Sequence, residues 1–195
     1  SNGTPTIPSN YQVSNITNLS INYKTDIRSY SNVHDAVKDF QPDFIFHLAA
    51  QALVRDSYNF PLRTMEVNAL GSANILEAVK VLDKKVVVIM ITSDKAYDNV
   101  EWVWGYKETD RLGGKDPYSA SKGMAELVIK SFVESFFNGD DSHVRVGIAR
   151  AGNVIGGGDW ARDRIVPDCV SSWSEGKSVD IRSPSATRPW QHVLE

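Results

Sequence analysis

Val86-Val87-Val88-Ile89-Met90-Ile91-Thr92-Ser93-Asp94-Lys95 decides the fold. Its first six residues are apolar and five are β-branched, with no polar alternation. Such a run reads as a strand buried on both faces of a parallel sheet. It then switches abruptly to hydroxyl and charged residues. Two more segments extend the pattern outward. Pro42-Asp43 turns into Phe44-Ile45-Phe46-His47-Leu48, too apolar to be half-exposed, and Val144 to Arg150 forms another strand. A short strand is expected at Ile21 to Lys24, ending at Thr25-Asp26, after a Ser/Asn/Thr/Pro-rich loop over residues 1–20.

Helical segments separate these strands. Ser31 to Phe40 places Val33, Ala36, Val37 and Phe40 on one stripe, and Pro61 to Leu82 carries Met65, Leu70, Ile75, Leu76 and Val79. Pro117 occupies the favoured first turn of a helix running to Phe137. Strands alternate with helices, without a hairpin signal. The expected fold class is therefore α/β: a doubly wound parallel sheet with right-handed crossovers on both faces. Ligands of such sheets sit at the carboxyl ends of the strands. Here those ends are Asp26, Leu48-Ala49-Ala50, Ser93-Asp94-Lys95 and Ala151-Gly152-Asn153. Beyond Asn153 come glycines, Trp160, a short helix near Pro167 to Glu175 and a strand at Val179 to Ile181. The expected division is a nucleotide-binding region over 1–152 and the start of a smaller substrate-binding region over 153–195.

The 195 residues allow one domain, or one and part of another. A hydrophobic share of 42% against 23% charged suits a soluble globular protein with a core. The net charge of −3 offers no basic field for nucleic acid or an acidic membrane. No apolar run reaches the roughly 18 residues of a membrane helix. The single cysteine, Cys169, excludes an internal disulfide, fits a reducing, cytoplasmic compartment, and reads as a small packing residue. No His, Cys, Asp or Glu cluster has metal-ligand spacing, so no metal is expected. Gly156-Gly157-Gly158 lacks the lysine of a P-loop and opens no helix, so it reads as a turn carrying Asp159 and Trp160.

Tyr118 and Lys122 stand four apart, one above the other on a helix. An ammonium beside a phenol favours the phenolate, and a tyrosine so tuned can take a proton from an alcohol. Spacing alone fits an ordinary surface pair equally well. Asp94 and Lys95 together supply an acid and an amine, although two opposite charges at a strand end also make a solvated turn.

Several segments carry a family resemblance: Thr25-Asp26-Ile27-Arg28, His47 to Arg55, Asn68-Ala69-Leu70-Gly71-Ser72, Thr92 to Lys95, Glu101-Trp102-Val103-Trp104-Gly105-Tyr106, Asp116 to Lys122, Arg150 to Trp160, and Thr187-Arg188-Pro189-Trp190-Gln191-His192. They resemble the extended short-chain dehydrogenase/reductase family, and within it the branch that dehydrates CDP-glucose. The Trp102/Trp104 loop and Gly-Gly-Gly-Asp-Trp are more specific than YxxxK. The family's opening strand and glycine-rich loop are missing, which implies an internal piece of a longer enzyme, with the strand at Ile21 left as an edge or detached.

The resemblance implies NAD as cofactor, held by Asp26, Ile27, Leu48, Ala49, Ala50, Gln51, Asn68, Ile91, Tyr118 and Lys122. It implies Ser93, Asp94, Lys95, Tyr118 and Lys122 as catalytic residues. Tyr118 serves as base for oxidation at C4, Lys95 removes the C5 proton, Asp94 protonates the departing 6-OH, and C6 is then reduced. CDP-glucose is the implied substrate, with Asn153, Ile165, Val166, Arg182 and Arg188 binding it. The product, CDP-4-keto-6-deoxyglucose, fits deoxysugar and polysaccharide biosynthesis. Read on their own, Asp26 is a turn or cap, Leu48-Ala49-Ala50 is tight packing, His47 is a satisfied strand-end residue, and Arg182 is solvated. The helices over 61–82 and 117–137 resemble a pair that forms a homodimer, although their apolar stripes equally suit packing on the sheet. Another nucleotide-sugar dehydratase, an epimerase, or a non-catalytic nucleotide-sugar binding module remains the alternative.

Overall fold

The computed structural model describes residues 6–195, so the first part of the expected N-terminal loop, residues 1–5, lies outside the described residues. The chain forms two compact units: one spans residues 25–151, and the other combines the described residues up to Lys24 with 152–195.

Unit 25–151 is built on three parallel strands, β1 (Phe44–His47), β2 (Val86–Ile91) and β3 (Val144–Ala149), in the order β1-β2-β3. Phe46 pairs with Ile89, and Val88 with Val146. The parallel α/β architecture is the one that alternation of strand and helix demands. α2 (Tyr30–Phe40) precedes β1 and ends where Gln41 turns left-handed, its N–H donating to Val37 O at 3.0 Å. Between β1 and β2 run α3 (Val54–Asn59), α4 (Pro61–Met65), a π-helical segment at Glu66–Leu70 and α5 (Gly71–Val79). Between β2 and β3 runs α6 (Pro117–Phe132), which continues as a π-helical turn at Val133–Phe137.

Alternate residues of a strand face opposite sides. Val86, Val88 and Met90 of β2 therefore meet Leu76, Val79, Leu82, Ile129 and Phe137 in one buried cluster. Each such side chain contributes about 1.5–3 kcal/mol by leaving water. The face of Phe44, Phe46, Val87 and Ile89 is different. The segment Phe44-Leu48 was expected to be buried on both sides, yet Phe44 and Phe46 are each 63% exposed. β1 is an edge strand among the described residues, and α5 and α6 cover only the other face of the sheet.

Three further expectations are corrected. No strand forms at Ile21–Lys24, because no ladder of hydrogen bonds holds it, and Ile21 is exposed. The helix expected over 61–82 is interrupted by its π segment and ends at Val79. α3 was not anticipated.

The second unit contains α1 (Asn10–Val13), capped by Ser9 Oγ accepting from Gln12 N, and a 3-10 turn at Ile16–Asn18, where a loop was expected. α7 (Ile165–Ser174) matches the expected short helix. The strand expected at Val179–Ile181 is absent. Pairing falls instead between β4 (Asn153–Ile155) and β5 (Trp190–His192), which run parallel. Gly152 is required there: a Cβ would lie 2.8 Å from Pro189 Cγ and 2.9 Å from Pro189 O.

Candidate active site

The site is organised by the amino end of α6. Asp116 caps it, Oδ1 accepting from Ser119 N at 2.9 Å and Oδ2 from Ser119 Oγ at 2.7 Å, and Pro117 begins the first turn. Tyr118 follows and is buried, as is Lys122 one turn on. The Lys122 ammonium lies 6.0 Å from the centre of the Tyr118 ring. Burial lowers the Lys122 pKa, and the Glu126 charge partly opposes that. Lys122 carries three N–H donors on a side chain that is only 6% exposed.

β2 delivers the second group of residues. Ser93, two residues past the strand, caps a 3-10 turn, Asp94–Ala96, accepting from Lys95 N at 3.2 Å and donating to Asp94 Oδ1 at 3.0 Å. This turn packs on α6. A Cβ at Gly123 would lie 3.2 Å from Gly113 O, a tight contact with the loop before α6, and 3.6 Å from Ala96 O. Asp94 and Lys95, with Ser93 as cap, therefore lie on a turn packed against α6, the helix that carries Tyr118 and Lys122. Ile91, the last residue of β2, is half-buried.

The loop after β1 is tied to the same helix. Asn68, buried in the π segment, accepts from Gln51 N at 2.8 Å and donates to Gln51 O at 3.1 Å and to Ser121 Oγ at 2.8 Å. Ser121 Oγ donates in turn to Tyr118 O at 2.6 Å. The Gln51 amide donates to Leu53 O and Thr64 Oγ1. The amide of Asn68 thus brackets one peptide as a neighbouring strand would, and π-helical insertions recur at functional sites for this kind of reason. Leu48 and Ala49 are exposed and Ala50 is half-buried, leaving small side chains at the open strand end.

Asp26 lies in a turn and is engaged by Arg28. The guanidinium donates to Oδ2 at 2.7 Å, and Arg28 N donates to Oδ1 at 3.0 Å, which together hold the carboxyl well below its usual range. Ile27 lies against Gly71, whose missing Cβ would sit 2.6 Å from Ile27 Cδ1, and Ile27 O accepts from Asn74 at 2.8 Å.

His47 has no catalytic geometry. It is buried, with Nε2 3.1 Å from Ser72 Oγ, and burial, aided by the Lys122 charge, pushes its pKa down to about 4. The sign is fixed by linkage. The unfolded histidine, with its ordinary pKa of 6.5, holds a proton more tightly than the folded one. Stability is full above that value and is lost as pH falls toward 4, by on the order of 3 kcal/mol in total. Denaturant titrations between pH 7 and 4 will show this slope, and His47→Gln will remove it. Equal slopes in both proteins would place the titration elsewhere.

The residues expected to bind substrate lie in the other unit. Asn153 opens β4 and its N–H donates to Pro189 O. Ile165 and Val166 form the first turn of α7. Arg182 donates to Asp163 Oδ1 at 2.9 Å, and Arg188 to Thr187 O at 2.6 Å.

Sequence reasoning missed Thr92, Glu126 and Arg150. Glu126 is buried and accepts from Thr92 Oγ1 at 2.5 Å and from Arg150 Nε and Nη2 at 2.8 and 2.7 Å. The available signal was a glutamate four residues beyond Lys122.

The sequence matches the family model described as GDP-mannose 4,6 dehydratase over residues 5–195. The chain belongs to the GDP-mannose 4,6 dehydratase family. It is 48% identical to the CDP-glucose 4,6-dehydratase of Salmonella typhimurium over 194 residues, covering 98% of this chain and 54% of that protein. It thus spans about half the length of this curated relative. Over 57% of this chain it is 29% identical to the CDP-paratose 2-epimerase of Salmonella typhi, covering 37% of that protein. Solved structures share the fold. The UDP-glucose 4-epimerase of Thermotoga maritima superposes with a TM-score of 0.78 at 23% identity, over 93% of this chain and 58% of that one. The Thermus thermophilus UDP-glucose 4-epimerase, solved in complex with NAD, gives 0.73 at 26% identity, over 88% and 56%. The α/β fold read from the strand pattern is the fold of the GDP-mannose 4,6 dehydratase family's structural neighbours.

Proposed function

We propose that this chain carries the acid–base site of an NAD-dependent lyase that converts CDP-glucose into CDP-4-keto-6-deoxyglucose. The observation that carries the proposal is the buried Tyr118–Lys122 couple packed on the Ser93-Asp94-Lys95 turn, in a chain 48% identical to a CDP-glucose 4,6-dehydratase. A nicotinamide cofactor fits the residues present. The ammonium donors of Lys122 suit ribose hydroxyls, and Ala49 and Ala50 leave room at the strand end. Asp26, Ile27, Leu48, Gln51, Asn68, Ile91 and Tyr118 complete the set that would hold it. When bound, such a cofactor supplies two-electron redox chemistry.

The chain's own groups move the protons. Tyr118, its phenolate favoured by the Lys122 ammonium, takes the proton of the sugar 4-OH, and Ser93 orients that hydroxyl. The 4-ketone then acidifies C5–H. A neutral Lys95 amine would remove that proton while Asp94, in its carboxylic acid form, protonates the leaving 6-OH, so acid and base act at one place. Asn153, Ile165, Val166, Arg182 and Arg188 bind the nucleotide diphosphate, the arginines by bidentate hydrogen bonds. The enzyme works in the cytoplasm, in deoxysugar formation for polysaccharides. It is a homodimer, because Leu62 and Leu70 on the helix over 61–79 and Met124 and Leu127 on α6 expose apolar surface suited to a second copy.

The test is to express the whole reading frame that encodes this chain, add CDP-glucose, and follow the alkaline absorbance of a 4-keto sugar. Product from CDP-glucose supports the proposal. Conversion of dTDP- or GDP-glucose instead would refute the nucleotide while keeping the reaction class. Binding without any product would leave a non-catalytic sugar-nucleotide module.

A further inference from the structure

One buried carboxylate, Glu126, ties α6 to the residue after β2 and to the residue after β3. Glu126 is 2% exposed and sits one turn beyond Lys122 on α6. Its oxygens accept from Thr92, the residue before Ser93, and from both arms of Arg150, at the end of β3. Arg150 also donates to Glu108 O at 3.2 Å and lies 4.8 Å over the Tyr97 ring. Tyr97 stacks on Tyr106 at 4.9 Å, and Tyr106 in turn meets Trp102 at 5.4 Å. A single side chain thereby fixes the helix of Tyr118 and Lys122, the turn of Ser93, Asp94 and Lys95, and the aromatic loop.

Stability alone is a poor explanation for this arrangement. Removing a carboxylate and a guanidinium from water costs nearly as much as their attraction returns, and apolar residues of the same volume often serve as well. What an ion pair does supply is a fixed register and a buried charge, here one turn from Lys122, whose pKa burial lowers.

We propose that Glu126, clamped by Arg150 and Thr92 one turn from Lys122, is a positioning residue that registers the Ser93-Asp94-Lys95 turn against Tyr118 and Lys122. This inference rests on the assignment of Tyr118 and Lys122 as the acid–base pair. The other ionisable groups around Lys122 are Tyr118 on α6, neutral His47 on β1, and Asp94 and Lys95 on the turn packed against α6. Arg63 and Glu66, on the helical stretch packed on the other side, are exposed. Glu126 is thus the buried anion closest in sequence to Lys122, and it acts to raise the Lys122 pKa.

The test uses protein from the whole reading frame, with CDP-glucose, at temperatures where circular dichroism shows each variant folded. Glu126→Gln keeps the size but removes the charge. Its kcat should fall about tenfold with KM unchanged, and the alkaline limb of the kcat profile should move down by about one pH unit. Glu126→Asp should return that limb to its wild-type position, since the charge is restored. A purely structural residue would lower the melting temperature and leave the profile where it was, so a wild-type kcat and profile in folded Glu126→Gln overturns the proposal. Should that variant not fold, Thr92→Val keeps the charge and the Arg150 pair and loosens only the turn. A kcat reduced about threefold with an unmoved limb then supports the proposal, and wild-type kinetics overturns it. Absence of product from the wild-type protein is a different failure: it sinks the assignment of Tyr118 and Lys122, and this inference with it.

Discussion

Tyr118→Phe, introduced into protein from the whole reading frame, should lower kcat for CDP-glucose by about 10²–10⁴-fold and leave KM nearly unchanged. The ring is only 9% exposed, and phenylalanine fills the same space. Nothing is removed but the hydroxyl. α6 keeps its cap at Asp116, and Ser121 still bonds the carbonyl of residue 118. A loss confined to kcat is therefore the signature of a proton that no longer has a base. Steady-state kinetics decides the matter, and a variant with wild-type kcat would remove Tyr118 from the chemistry.

Lys95→Ala should divide the reaction in two. Oxidation at C4 depends on Tyr118 and Lys122 and continues, but the C5 proton has no acceptor, so water is not lost. CDP-4-ketoglucose should form to no more than about one equivalent per active site, since the hydride taken from C4 is not returned, formation of the 6-deoxy product should fall by about 10²–10⁴-fold, and C5 should take up no deuterium from heavy water. The turn itself survives, since Ser93 Oγ accepts from the backbone N–H of residue 95 and needs no lysine side chain. Normal amounts of 6-deoxy sugar from this variant would show that another group is the base.

Much of the framework was legible because packing leaves periodic marks. The run Val86–Ile91 and the stripes of α2 and α6 record the faces they bury, and the polar residues after Ile91 record the end of a strand. Other parts leave no such mark. Ile21–Lys24 has strand composition, but a strand exists only with a partner, and composition does not supply one. Val54–Asn59 lacks an apolar stripe, so α3 was invisible. The pairing of Asn153–Ile155 with Trp190–His192 joins short segments far apart in the chain. At the site, the Tyr118–Lys122 spacing and the Ser93-Asp94-Lys95 run stood out locally. The Glu126–Arg150 pair did not, because its partners lie 24 residues apart and meet only through β3.

The wide turn at Glu66–Leu70 bears on how this protein tolerates change in length. An ordinary helix advances about 100° per residue, so losing one residue within α5 would swing Leu76 or Val79 off the sheet. A π-helical turn is an α-helix that has absorbed one extra residue. Shortening the chain by one within 66–70 would leave the flanking helices nearly in phase and forfeit little beyond the grip of Asn68 on Gln51. That five-residue stretch is the single place in the long helix where the chain can lose a residue and keep its core, at the expense of the loop that Asn68 ties to α6.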